Sequence, residues 1–264
     1  MQAARAWLPL GLALLFASFA LLIAATFGPG WTMSPRVAYA IAFTVVAAEL
    51  LAAAHVAPAP SVRSAAPVLL AAAAVLFSVR GLGPTLLPSL GVTVALLAGS
   101  AVLGSLIGSR IEHPGHLAAV FAISSLADLW SVYDPSGPSA KLALQAAAEP
   151  ERLVLFALPW PMLGSSHIVA VIGAGDILFA ALYAATLRRH GLLVMRATLA
   201  MGVGLLVGLV FLLQLERALP LLPLMGAGVM IAEPRARSLP PQDRRSVATV
   251  VVLLAGFLAY RFTR

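Results

Sequence analysis

Two stretches without a single charged residue, Trp7 to Pro29 and Ala197 to Leu215, constrain this chain more than anything else in it. As a helix rising about 1.5 Å per residue, either can cross a hydrocarbon core of about 30 Å. Inside lipid every backbone polar group must be satisfied within the protein, which leaves helices and closed barrels. Both runs are rich in Ala and Leu and lack the alternation of barrel strands, so they read as helices. Composition extends the conclusion to the whole chain. Of 264 residues, 61% are hydrophobic and 10% charged, where soluble domains carry about a quarter charged.

The pattern predicts an all-α fold: a polytopic transmembrane helix bundle of about nine spans, near 7–29, 37–57, 65–80, 85–108, 115–133, 166–187, 191–214, 218–232 and 246–262. The third is short, and Pro220 and Pro223 interrupt the eighth; such breaks need a covering of protein or water. The polar stretches run from Asp134 to Arg152 and from Glu233 to Arg245. No internal repeat is visible, so residues 1–264 read as one integral membrane domain, with N-terminal helices over 1–110, a core over 115–232 and an extra span at 246–262. The first apolar run is too long for the core of a signal peptide and reads as a span.

The net charge of +7 comes from Lys and Arg scattered in ones and twos over the loops. That is how membrane proteins carry positive charge, and it argues against a nucleic-acid partner. With alternating spans, the N-terminal side holds Arg5, Arg63, Arg110, Arg188, Arg189, Arg196 and the Arg235–Arg245 cluster. The other side holds Arg36, Arg80, Lys141, Arg152, Arg217, Arg261 and Arg264. The excess favours a cytoplasmic N-terminus. There is no cysteine, which excludes disulfides and thiolate metal sites; neither a metal nor a cofactor is expected.

An ionisable group inside a span is costly, so it is a functional candidate by default. Of the four Asp residues, Asp243 falls in a polar loop and Asp134 ends a helix before Pro135. Asp128 and Asp176 remain, inside the fifth and sixth predicted spans, with Glu49 in the second. Asp128 is about 9 Å from the end of its span and Asp176 about 15 Å from the start of the next, at 1.5 Å per residue. One loop joins those spans, so both depths count from the same membrane face. Two carboxylates close together in a low dielectric do not both ionise easily and would share a proton. One could then take a proton from an attacking water while the other protonates the carbonyl oxygen of an amide. Asp176 follows Gly173-Ala174-Gly175, small residues that let another backbone approach and loosen a helix; the same tetrapeptide suits plain helix packing.

Gly173-Ala174-Gly175-Asp176 resembles the Gly-x-Gly-Asp motif of presenilins, signal peptide peptidases and their prokaryotic relatives. Asp128-Leu129-Trp130-Ser131-Val132-Tyr133 is similar to the segment around the family's first catalytic aspartate, and Pro135-Ser136-Gly137-Pro138 to its Pro-x-Gly-Pro. Pro220-Leu221-Leu222-Pro223 resembles the Pro-Ala-Leu-Pro motif. The resemblance covers about residues 115–232. It implies a presenilin-like intramembrane aspartyl protease of a prokaryotic cell membrane, with Asp128 and Asp176 catalytic. It also implies that Gly173, Ala174, Gly175, Pro220, Leu221, Leu222 and Pro223 line the substrate site. The partners implied are transmembrane protein or peptide substrates and the bilayer; homo-oligomerisation is left open. The resemblance implies that the 220–223 segment lies beside the aspartates; proline removes amide donors, so its backbone should be irregular, and an extended substrate could pair on it as a strand.

The chain departs from the family at three points. Ala127 stands where the family has Tyr before the first aspartate, Leu221 replaces Ala, and four spans precede Asp128 instead of five. Tyr133-Asp134 offers a rival register with Asp134 as the acid; the Pro-x-Gly-Pro spacing favours Asp128. Two other functions stay open: a proton- or ion-coupled transporter using Asp128, Asp176 and Glu49, and an inactive presenilin-like scaffold. Glu49 and His55 read as a snorkelling or bundle-facing pair, His113 and His116 as solvated, and His167 as interfacial. Leu153 to Pro161 reads as an interfacial or gating stretch.

Overall fold

The computed structural model describes residues 2–148, 155–165, 167–215 and 219–263. In chain order the elements are α1 (Gln2–Phe27), α2 (Pro35–Val56), α3 (Val62–Ser78), α4 (Leu86–Gly108), α5 (His116–Tyr133) and α6 (Pro138–Ala148). There follow β1 (Ala157–Pro161), β2 (Ile168–Gly173), α7 (Ala174–Arg189), α8 (Val194–Leu215), α9 (Leu222–Ala232) and α10 (Arg244–Phe262). Short 3₁₀ turns sit at Gly28–Gly30 and Pro234–Arg237. The chain divides into two compact units: residues 1–109 with 149–185, and residues 110–148 with 186–264.

Five segments are long and apolar enough to cross a membrane: Trp7–Gly30, Pro35–Val56, Leu86–Gly108, His116–Gln145 and Val194–Leu215. Val62–Ser78 and Leu222–Ala232 are apolar but shorter. The surface agrees with a lipid environment. Leu8, Leu12, Leu15, Phe16 and Phe19 of α1 are all exposed, as are Leu199, Val203, Val210 and Phe211 of α8, an apolar area that soluble monomers rarely leave open.

In the first unit, Ser34 and Ser61 cap α2 and α3 by accepting from the Val37 and Ser64 amides, at 3.4 and 3.2 Å, so one donor of each first turn is not orphaned. α4 packs against α1, α2, α3 and β1. Its Gly104 and Gly108 lie against the Leu178 and Leu182 carbonyls of α7, where any Cβ would collide with backbone. This is small-xxx-small packing, which brings helix backbones together where lipid supplies no hydrophobic drive. It seats the helix that carries Asp176.

The second unit uses the same device. Gly204 of α8 faces the Leu224 carbonyl of α9, and Gly228 of α9 faces the Ala200 carbonyl of α8. α5 packs against α9, α6 and α10. At the end of α5, Gly137 is pressed against the Trp130 and Ser131 carbonyls, and its amide donates to the Asp134 carbonyl at 2.7 Å. Only glycine fits this tight exit from α5.

Two expectations need correction. The fold is mostly helical but not all-α, and the predicted span 166–187 is not one helix. Residues Ile168–Gly173 form β2, antiparallel to β1 with Pro159 opposite Ala170, Trp160 opposite Val169 and Pro161 opposite Ile168. Ile168, Val169, Val171 and Ile172 are β-branched and favour a strand. Pro159 and Pro161 cannot sustain a helix and are tolerated in a short hairpin. The hairpin turn includes Gly164 at φ +81°, whose amide donates to the Gly28 carbonyl at 2.8 Å. Asp176 therefore lies in the first turn of α7 and not about ten residues into a span. The second correction concerns the polar stretch from Asp134 to Arg152, which contains α6; its last residues, from Glu149, fall outside the described ones, as do Leu153 and Val154.

Candidate functional site

Asp128 sits one turn and a half before the end of α5, and its half-buried carboxylate faces α9. Its Oδ2 accepts from the Leu222 amide at 3.0 Å, across a sequence separation of 94. Leu222 is the first residue of α9 and Pro223 the second. The first amides of a helix have no intrahelical acceptor, and the helix dipole favours an anion there. Proline fits at this place because its missing N–H would have been an orphan. Thus Asp128, Leu221 and Leu222, far apart in sequence, meet within one unit. Pro220 is buried and Pro223 half-buried. Leu221 packs toward α8, its Cδ2 where a Gly208 Cβ would stand.

Asp134 lies in a different setting. Its Oδ1 accepts from the Ser136 amide at 2.8 Å, the Ser136 hydroxyl at 2.6 Å and Arg261 Nη2 at 3.2 Å. Its Oδ2 accepts from Arg261 Nε at 3.0 Å and Trp130 Nε1 at 3.2 Å. A carboxylate with five donors is a structural clasp, tying the end of α10 to the end of α5. The sequence marks Trp130 and Ser136 only as members of motifs and Arg261 only as a loop charge, none of them as a partner of Asp134. A lone cation at the end of an apolar helix was the available signal.

Asp176 belongs to the first unit. Ala174 and Gly175 open α7, and Asp176 is its third residue, so the carboxylate reaches back to accept from the Gly173 amide at 3.2 Å. An acid at this position complements the helix dipole and closes the last amide before the helix. The Ala174 amide donates to the Phe156 carbonyl at 2.8 Å, so the hairpin ladder runs directly into the first turn of α7.

The two glycines of this motif differ from the packing glycines. A Cβ on Gly175 would meet nothing within 4 Å, and one on Gly173 would make only ordinary contact, 3.4 Å from Asp176 Oδ2. Packing among the described residues therefore does not require glycine at Gly175.

The remaining candidates resolve as follows. Glu49 is 3% exposed in α2, facing the bundle and not snorkelling, and its Oε1 has no hydrogen-bond partner among the described residues. His116 is not simply solvated: its Nε2 lies 3.0 Å from Asp243 Oδ2. His113 Nδ1 accepts from the Gly115 amide at 3.0 Å. His167 lies in the hairpin turn, its carbonyl accepting from the Met162 amide at 2.8 Å. Among the described residues no group of three His, Asp or Glu side chains could hold a metal ion. Comparison of the chain with protein-family models, with curated proteins and with solved structures finds no match.

Proposed function

We propose that this chain is an intramembrane aspartyl endopeptidase that cleaves peptide bonds within transmembrane segments, with Asp128 and Asp176 as its catalytic carboxylates. The reading is carried by the bond between Asp128 and the Leu222 amide. It joins the first aspartate motif to the proline motif across 94 residues, as the presenilin-type resemblance expects of two parts of one site. Two further observations support it. Asp134, the rival acid, is committed to Arg261, Ser136 and Trp130. Gly173 and Gly175 have no packing reason to be glycine, whereas a substrate backbone approaching Asp176 would need that space.

The chemistry follows from two carboxyl groups that share one proton over a scissile amide. The ionised carboxylate removes a proton from water as the water oxygen bonds to the carbonyl carbon. The protonated one gives its proton to the carbonyl oxygen. The tetrahedral intermediate then collapses: its C–N bond breaks, the amine leaves with the proton held by the first carboxyl, and one hydroxyl returns its proton to the second as the product acid forms. Backbone amides at Leu222 and Gly173 orient the two groups. A transmembrane substrate must unwind to be attacked, and a two-stranded sheet has outer edges to which an extended peptide can add. β2 runs into α7 three residues before Asp176, so a strand added there would deliver its backbone to that carboxylate.

A peptide with a hydroxyl-bearing isostere in place of the scissile amide mimics the intermediate and tests the reading by photocrosslinking. It should label the wild type and lose labelling in both Asp128→Asn and Asp176→Asn. Equal labelling of wild type and both variants would contradict the proposal. One observation favours a second reading, a proton- or ion-coupled carrier: the buried, unpartnered Oε1 of Glu49. Proton flux in proteoliposomes that vanishes in Glu49→Gln, with no proteolysis by wild type, would support that alternative.

A further inference from the structure

At one end of the second unit three connections converge. His190 Nε2, in the turn between α7 and α8, lies 3.0 Å from the Ile111 carbonyl oxygen in the α4–α5 connection. Gly115 in the same connection is pressed against the Ser238 carbonyl that follows the 3₁₀ turn at Pro234–Arg237, too close for any Cβ. His116 Nε2 meets Asp243 Oδ2 just before α10. α5 and α8 both belong to segments long enough to cross a membrane, and both begin at this end. The three connections therefore lie where spans meet the headgroups.

This end is strongly basic. Arg110, Arg189, Arg196, Arg235, Arg237, Arg244 and Arg245 are all exposed. The acids nearby are few: Glu112 is exposed, Asp243 faces His116, and Glu233 is 9% exposed. At the opposite end of the unit the described charges are Lys141, Arg261 and Asp134, and the last two neutralise each other at 3.0 Å. Guanidinium groups match phosphate oxygens with two parallel hydrogen bonds. Basic clusters directly at span ends are drawn to anionic leaflets. A nucleic acid would need the patch to stand clear of the bilayer, whereas these arginines sit at the helix ends themselves.

We propose that this end of the second unit binds the phosphate headgroups of anionic phospholipids in the leaflet it faces. The inference needs the chain to be membrane-embedded but does not depend on proteolytic activity. The turn at Pro234–Arg237 and the start of α10 supply four of the arginines, and the His116–Asp243 and Gly115–Ser238 contacts hold those two segments against the α4–α5 connection.

The test is reconstitution of the full chain in nanodiscs of phosphatidylcholine with and without a phosphatidylglycerol fraction. Retained lipid is read by native mass spectrometry and stability by the unfolding temperature. Wild type should retain phosphatidylglycerol severalfold over phosphatidylcholine and unfold at a higher temperature with it. R235Q/R237Q/R244Q/R245Q should lose both effects, the matching four Arg→Lys changes should keep most of them, and Lys141→Gln at the opposite end should behave as wild type. If the fourfold Gln variant does not fold, R235Q/R237Q and R244Q/R245Q made separately should each weaken retention. Equal retention of the two lipids by wild type would overturn the proposal, as would loss in Lys141→Gln equal to that in the cluster variants. Inorganic phosphate raising the unfolding temperature as phosphatidylglycerol does would assign a soluble-anion site instead. A polynucleotide bound more tightly than the lipid would overturn it as well.

Discussion

At the scale of single residues, two aspartates six positions apart sit in opposite settings. Asp128 accepts one backbone amide, while Asp134 accepts from three side chains and one amide. Asp134→Asn should lower the unfolding temperature and leave proteolysis measurable. Asp128→Asn should abolish proteolysis, by about a hundredfold or more, with the unfolding temperature little changed. Measuring both quantities on both variants checks the assignment. The preference for Asp128 over Asp134 rests on the downstream Pro-x-Gly-Pro spacing. The clasp around Asp134 was not legible, because its partner Arg261 lies 127 residues away and ion pairs of that range leave no local pattern. Glycines divide in the same way. Gly104→Ala should destabilise the protein by about 1–3 kcal/mol, since its Cβ would enter the Leu178 carbonyl and overpacking costs that much. Gly175→Ala should fold normally and cut the cleavage rate. Denaturation and single-turnover kinetics separate the two.

At the scale of elements, hydrophobic runs located α1 to α5, α8 and α10 closely, because a span must be continuous and apolar. The segment before Asp176 misled for the same reason. Ile168 to Gly173 is apolar and abuts a true helix, and an apolar run of that length does not distinguish strand from helix. Pro159, Pro161 and the β-branched Ile168, Val169, Val171 and Ile172 held the information, but a hairpin also needs its partner strand, which hydropathy alone does not show. α6 went unseen because it is short and lies in a stretch bounded by charged residues. The packing of α9 on α8 makes its own prediction. Gly228→Val would drive α9 from the Ala200 carbonyl and displace the Leu222 amide from Asp128. Proteolysis should fall sharply while helical circular dichroism is retained; unchanged activity would show that the position of α9 does not matter to the site.

At the scale of the whole molecule, five segments long and apolar enough to cross a membrane, with an exposed apolar surface, fit a multi-pass membrane protein. The division into two units was not visible in the sequence, since both are assembled from segments discontinuous in the chain. Asp176 belongs to the first unit and Asp128 to the second. If the pair shares one proton, the rate of cleavage should fall at both low and high pH, and either Asn substitution should abolish activity throughout. The most direct measurement is cleavage of a single-span substrate by the purified chain, with fragments identified by mass spectrometry. Wild type should cut within the transmembrane segment, and Asp128→Asn and Asp176→Asn should each be inert. Cleavage that survives Asp176→Asn, or none by wild type over a broad substrate panel, would contradict the account.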